Sequence, residues 1–573
     1  MNRLRTRLRA SIASGPLVLL DFISGGLDPR ITFSRGSNAT LVDSTGKITY
    51  APANLMLQSQ TMAVSPWAGD TVGGTIPTAT ANAGVAPDGT TTATRLQLNR
   101  GAGTFSRWQQ TTPAFPAGSF LASIWMKTTS GTGTANVGLR NDVTATNCVV
   151  TGAWQRFSLV NTPATANPSV QILLFTSIPG NDVTADILVW GAQLEPVTYQ
   201  TAPSTYVATT TAAYYGPRFD YDPVTLAAKG LLIEEQRTNL LTYSEQFDNA
   251  IWVKGGVTVS VNATTSPDGT ATADKIVEDT STGNHNVFNG GAGAAGAHTM
   301  SVFAKPAGRD WIIVRIEGID TWFNVASGTI GTIGVGITAS IAPAANGFYR
   351  CTITKTLAGA TACTYRLATG NNISSYTGDG TSGIFLYGAQ LEAGAFATSY
   401  IPTVASQVTR SADVATMTGT NFSSWYNQSE GTFVADFDVL VSANAVAPGH
   451  VLAATTASTQ NNINRIWMWN GTPGVLRNTV NSGGVNSAEL TGPTTVANTI
   501  FKVAAAYRVN DYAFATNGGA VATDTSGAVP VGLTLLGIGQ RGDTALENLN
   551  GHIRQIAYYN TRLPNATLQA LSA

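Results

Sequence analysis

Few residues in this chain could do chemistry. Histidine occurs four times, at His285, His298, His450 and His552, and no two stand in a metal-ligand spacing such as H-E-x-x-H. There is no C-x-x-C pair and no G-x-S-x-G elbow to present a nucleophilic serine. "GAGAAG" from Gly291 matches G-x-G-x-x-G, but the strand-like "HTMSVF" follows it rather than a helix, so a loop is expected. A glycan hydrolase needs two carboxylates about 5 to 10 Å apart. Asp310, Glu317 and Asp320 lie in one region, yet a strand and its turns commonly carry such charges. Arg541-Gly542-Asp543 spells an adhesion tripeptide that arises easily by chance. No catalytic residue is assigned and no enzyme is expected.

Binding is the better reading of the aromatic residues. A sugar presents apolar C–H faces and hydroxyl edges, so its sites combine an exposed ring with amides, carboxylates or arginine. In "NRIWMWN" a period-2 strand points Arg465, Trp467 and Trp469 one way, with Ile466 and Met468 the other. In "DWIIVRIEG" Trp311, Arg315 and Glu317 share a face, while Ile312, Val314 and Ile316 face a core. Arg465, Trp467, Trp469, Trp311 and Arg315 are therefore the candidate carbohydrate-binding residues. The competing reading is that a loop or a neighbouring domain covers the rings.

The elements that hold these residues are strands. The 573 residues contain only 11% charged residues but 43% hydrophobic ones and 59 glycines. That suits many short strands joined by tight turns, in about three or four domains. "HTMSVFAK", "FYRCTIT" and "GIFLYGAQL" read as strands, as do "TFVADFDVLV", "IFKVAAAYRV", "LTLLGIG" and "HIRQIAYYN" further on. One helix is expected in "PNATLQALSA", with Pro564 near its start. The net charge of -1 gives no case for binding nucleic acid, and no run reaches the roughly 18 apolar residues of a membrane helix.

A repeat organises the chain. "ANLMLQSQTMAVSPW" from Ala53 aligns with "TNLLTYSEQFDNAIW" from Thr238, and "PDGTTTATRL" from Pro87 with "PDGTATADKI" from Pro267. "SIWMK" from Ser123 matches "SVFAK" from Ser301, and "WQRFSL" from Trp154 matches "FYRCTI" from Phe348. "ILVWGAQLE" from Ile187 and "IFLYGAQLE" from Ile384 close the series. The offsets are 185, 180, 178, 194 and 197, so only loops changed length. The Trp-bearing strand is not shared, because the first copy has "ANVGLRND" where the second has "DWIIVRIEG". The connectors repeat as well, each beginning Pro-Arg and ending Asn-Leu, and they read as ordered links.

"PRFDYDP…GLLIEEQRTNLLTYSEQFDNAIWVK", "YGAQLEAGAFATSYIPT" and "TRSADVATMTG" together resemble tail-associated structural proteins of tailed bacteriophages and prophages. So does the opening "LDPRITFSRGSNATLVDSTGKI". Each repeat resembles a carbohydrate-binding jelly roll, and the last segment resembles a laminin-G or concanavalin A-like sandwich. The resemblance implies an all-β chain of two tandem jelly-roll sandwiches and a concanavalin A-like one. Its implied divisions are an arm and linker over 1–51, jelly rolls over 52–207 and 238–405 with an ordered connector at 208–237, a second connector at 406–429, and the last sandwich over 430–573. It also implies a non-enzymatic virion protein of a tail fibre or tip, assembled in the bacterial host cytoplasm. Such a protein would bind a host-surface glycan and other tail proteins, with oligomeric copies multiplying weak contacts. A purely structural virion component and a secreted bacterial adhesin are the rival readings.

Many such jelly rolls hold a structural calcium at an acidic last strand. Glu195 and Glu392 could serve here, but the usual paired aspartates are missing, so no cofactor is expected. GAQLE is expected to be a closing seam. Trp190 with Leu194, and Tyr387 with Leu391, would complete the apolar face, while Gln193 with Glu195, and Gln390 with Glu392, bond the incoming Asn-Leu segment or the next connector. Cys351 and Cys363 would face each other across a hairpin as buried thiols. Arg3, Arg5, Arg7 and Arg9 are expected to belong to a docking arm or a disordered start, not a secretion signal.

Overall fold

The computed structural model describes residues 15–112, 118–162, 169–441, 449–456, 459–469, 475–542 and 547–573. The N-terminal arginines lie outside the described residues, as does Asp543 of the adhesion tripeptide. The chain forms two compact units, Thr49–Gly216 and residues 15–48 joined with Pro217–Ala573. Both are built from antiparallel β-sandwiches. The expected helix is present as Asn565–Leu571, with Leu568 buried. No helix among the described residues is long and apolar enough to cross a membrane.

The first unit is one jelly roll. One sheet runs in the order Gln155–Asn161, Ser119–Thr128, Thr184–Val197, Ala93–Asn99, Thr75–Gly84. The other runs Thr144–Thr151, Thr134–Asn141, Ser169–Phe175, Phe105–Thr111, Ala68–Val72. Alternate residues of both fill a core that includes Leu96, Ile124, Val137, Ile172 and Leu194. The second jelly roll, inside the other unit, repeats this plan. Its sheets centre on Gly383–Ala393 beside Gly296–Ala307, and on Thr361–Ala368 beside Trp311–Ile316.

The repeat extends to single hydrogen bonds. The Asn54 side chain donates to Ala192 O and Val207 O and accepts from Met56 N and Leu194 N. Asn239 makes the same four bonds, to Ala389 O, Ile401 O, Leu241 N and Leu391 N. The Asn of each Asn-Leu is thus the pin that ties the incoming chain to the GAQLE strand, with every polar atom of its amide used.

GAQLE is a seam, but its faces differ from strict alternation. Gly191 and Gly388 have φ of 67° and 65°, and the ladder slips there, between Ser123 and Trp125 and between Ser301 and Phe303. This is a β-bulge, and glycine permits its left-handed residue. The extra residue turns Trp190 and Tyr387 out of the main cores that Leu194 and Leu391 occupy. Gln193 and Glu195 bond the segment that follows the strand, at Val207 N and Ser204 N. Gln390 and Glu392 do likewise at Ile401 N and Thr398 N. Both glutamates are buried.

Two further expectations change. Cys351 and Cys363 are buried free thiols, but Tyr349–Leu357 and Thr361–Ala368 belong to opposite sheets, so their link crosses the sandwich instead of forming a hairpin. The opening segment and the connector at 217–237 are parts of the last sandwich. Val18–Asp21 and Ala228–Ile233 both pair with Gly551–Tyr559, and Thr32–Ser34 pairs with Val414–Thr418. Val18, Leu20, Leu231 and Ile233 enter its core beside Phe433 and Ile556. Pairing along Gly551–Tyr559 buries these apolar residues in that core.

Candidate binding face

In the second jelly roll, Trp311–Ile316 and Ile319–Asn324 form a hairpin. Its two loop residues, Glu317 and Gly318, have φ of 46° and 77°, the left-handed pair that a tight hairpin twist requires. Ile312, Val314 and Ile316 enter the core, as the alternation predicts. The other face carries Trp311, Ile313 and Arg315. Register places Asn324, Trp322 and Asp320 opposite these three on one side. On the other side Ala368, Arg366 and Thr364 stand opposite the same three. Phe288 and Asn286 extend two of these rows onto a fourth strand.

This face holds more aromatic and charged groups than alternation within one strand reveals. Arg315 Nη1 lies 2.9 Å from Asp320 Oδ1, and Arg366 Nη1 lies 3.6 Å from Asp320 Oδ2. Two guanidinium groups thus share one carboxylate. Burial, then the neighbouring Arg315 charge, pushes the Arg366 guanidinium pKa down. Trp322 Nε1 and Arg366 Nε are buried donors without a partner among the described residues. Trp311 lies against the backbone of Gly331, where an added Cβ would stand 2.7 Å from Trp311 Cζ3. Glu317 does not join the face. It sits in the turn, where it accepts from Ala358 N at 2.6 Å and pairs with Lys355 at 3.2 Å. Trp322 and Arg366 could have been suspected only from their own alternating runs, since the register that adds them to Trp311 and Arg315 joins strands up to about fifty residues apart.

The last sandwich treats its candidates differently. Ile466 and Met468 lie in the core, so Arg465, Trp467 and Trp469 do share the other face. Trp467 is only 8% exposed. Its indole N–H donates to Thr479 Oγ1 at 2.8 Å, and its ring stacks on His450 with 5.7 Å between centroids. The Arg465 guanidinium lies 4.0 Å from the Trp467 centroid. Burial, then the Arg465 charge, holds the His450 imidazole well below its usual pKa and so neutral. Trp467 is therefore a packed residue. Trp469 is partly exposed, with the Arg477 guanidinium 3.8 Å from its centroid. The five candidates form two separate faces.

In the first jelly roll the equivalent sheet has Arg140 opposite Gln171, which in turn stands opposite Gln109. Arg107 lies 4.6 Å from the Phe105 centroid, and no Trp stands in Trp311's place. All four histidines are buried, and no group of three His, Cys, Asp or Glu among the described residues could hold a metal ion.

No family model matches the chain, and neither does any curated protein. Solved structures resemble it only faintly. The Ruminococcus gnavus IT-sialidase CBM40 bound to α2,3 sialyllactose is 18% identical, with 27% of this chain and 88% of that one covered at a TM-score of 0.23. The N-terminal CBM22-1–CBM22-2 tandem domain from Paenibacillus barcinonensis Xyn10C is 13% identical, covering 60% and 98% at 0.21. Trypanosoma rangeli sialidase in complex with the inhibitor DANA is 8% identical, covering 98% and 97% at 0.22. Similarity of this degree carries no assignment of function.

Proposed function

We propose that this is a non-enzymatic virion protein of a tailed phage or prophage, placed at the tail tip or in a fibre, that binds carbohydrate on the host surface. One observation carries the binding role: Trp311, Trp322, Arg315, Arg366 and Asp320 are gathered on one outward sheet face, with ring surface beside charged groups. A pyranose fits that chemistry, because its C–H face packs on a ring while its hydroxyls pair with guanidinium and carboxylate. The placement in a virion rests on the connector and GAQLE motifs, and would make other tail proteins its partners. Each contact is worth about tenfold in affinity, and oligomeric copies would raise the total by roughly 10² to 10⁴.

The test is binding of the full chain to host cells and to an array of bacterial surface glycans. Trp311→Ala and Arg315→Ala should each weaken binding about tenfold or more. Trp467→Ala should act through stability alone. Binding untouched by the first two changes removes this face from the reading. Antibody labelling of purified particles tests the location, and a chain absent from virions defeats it.

A further inference from the structure

The two jelly rolls share a second aromatic site, beside the GAQLE bulge, and treat it in opposite ways. In the second copy Phe303, Phe348, Tyr387 and Tyr400 form a cluster with Ile48 of the opening segment, and none of the five is more than 7% exposed. The opening segment is bonded there as well as packed. Ile48 N donates to Pro267 O at 3.0 Å, and the Thr40 hydroxyl donates to Tyr400 O. That site is filled by the chain itself.

In the first copy the four ring positions are Trp125, Trp154, Trp190 and Tyr206, in a cluster with Ala86, Ala93 and Leu188. The frame beneath them is unchanged. Arg156 donates to Ser204 O and Ser123 Oγ as Arg350 does to Thr398 O and Ser301 Oγ. Ser59 pairs with the Tyr206 hydroxyl as Ser244 does with that of Tyr400. What differs is the cover. Only Trp190 is buried; Trp125, Trp154 and Tyr206 all remain part-exposed. Among the described residues no donor reaches Pro87 O or Tyr206 O, the counterparts of the two carbonyls that accept from the opening segment.

We infer that the first jelly roll carries its own carbohydrate site at this position, independent of the Trp311 face; the inference rests on the reading of the protein as a glycan binder. Three tryptophans replace two Phe and one Tyr, and among the described residues no side chain of the opening segment joins their cluster. Trp125, Trp154 and Tyr206 therefore keep ring surface open to solvent. Cations rest on the rings, with the Arg156 guanidinium 4.3 Å from the Trp125 centroid and the Lys127 ammonium 5.3 Å from that of Trp154. The Pro87 and Tyr206 carbonyls, which no donor among the described residues reaches, can accept from a ligand with hydroxyls at its edge. Apolar C–H faces with hydroxyl donors around them are the surface of a sugar ring. A chain with this site and the Trp311 face would hold two glycan units at once.

The experiment uses the full chain, with an array of bacterial surface oligosaccharides as probe and titration calorimetry on the strongest hit. One variant gives the first copy the rings of the second, Trp125→Phe, Trp154→Phe and Trp190→Tyr, which this scaffold already accommodates. The other is Trp311→Ala, Arg315→Ala. The expected result is two sites per chain, one lost in each variant, with melting of the ring variant confirming its fold. Full loss in the Trp311 variant with no effect of the ring changes overturns the inference and leaves the proposed function standing. Failure of the unaltered chain to bind any glycan overturns both. Saturable binding of a peptide spanning residues 38–50, without glycan binding at this site, also overturns it, since the site would then be a peptide dock like its twin.

Discussion

Replacing Asp413 by Asn should be among the most damaging isosteric changes in the chain. The Asp413 carboxylate is fully buried and lies 2.9 Å from Arg35 Nη1, against Arg218 Nη2, and 4.0 Å from Arg410 Nη1. Glu234 completes the cluster at 2.6 Å from Arg218 and 3.4 Å from Arg410, and every side chain in it is at most 1% exposed. Three guanidinium groups therefore face two carboxylates away from bulk solvent. Asn preserves shape and an acceptor for Glu234 N, now 2.9 Å from Asp413 Oδ2, so the change isolates the charge. Removing one partner from a buried ion pair costs about 3 to 5 kcal/mol, because the remaining charges stay desolvated and unpaired. At about 4 kcal/mol the folding equilibrium falls roughly a thousandfold. Urea denaturation, with hydrogen exchange over residues 228–239, measures it. Glu489→Gln is the control, since its pair with Arg477 is partly exposed and should be worth at most about 1 kcal/mol. Adding Arg35→Met to Asp413→Asn should recover part of the loss. A cost for Asp413→Asn no larger than that of the control would refute the buried-charge argument.

Two pH predictions concern His552, which is buried, and Glu245, which is partly buried. Burial disfavours the charged form of His552, but Asp438 at 2.7 Å and Asp220 at 2.9 Å outweigh it and raise the pKa above 6.5. The stability this contributes is complete below pH 6.5 and is lost as pH rises through the folded value, so melting temperature should fall with rising pH there and His552→Gln should flatten the slope. Glu245 is pushed up to about 7 from 4.5, first by burial and then by the Asp268 charge. The folded form holds its proton longer, so stability declines as pH rises from about 4.5 to about 7. Glu245→Gln, the residue type of Gln60 at the same place in the first copy, should stabilise by about 1 to 3 kcal/mol at pH 8 and change little at pH 4. Equal effects at both pH values would show that the carboxylate is not the cause.

The aromatic and β-branched runs, the repeat and the core faces were legible in the sequence because each depends on local alternation. Ile312, Val314 and Ile316, or Ile466 and Met468, enter a core whatever strand lies next to them. Face assignments failed where one residue broke the period. The bulge at Gly191 and Gly388 turns Trp190 and Tyr387 outward, and only a left-handed φ reveals it.

The sequence by itself determined an all-β chain of repeated sandwiches and which residues alternate on each strand. Tertiary structure decided what stands beside each strand and what lies over it. Val18 pairs with Tyr558, Arg366 joins Ile313, Ile48 closes one aromatic cluster while its twin stays open, and His450 seals Trp467. Alternation sets the direction of a side chain within a few residues. Register and cover are set by chain segments tens to hundreds of residues away, and they separate a packed ring from one free to hold a ligand.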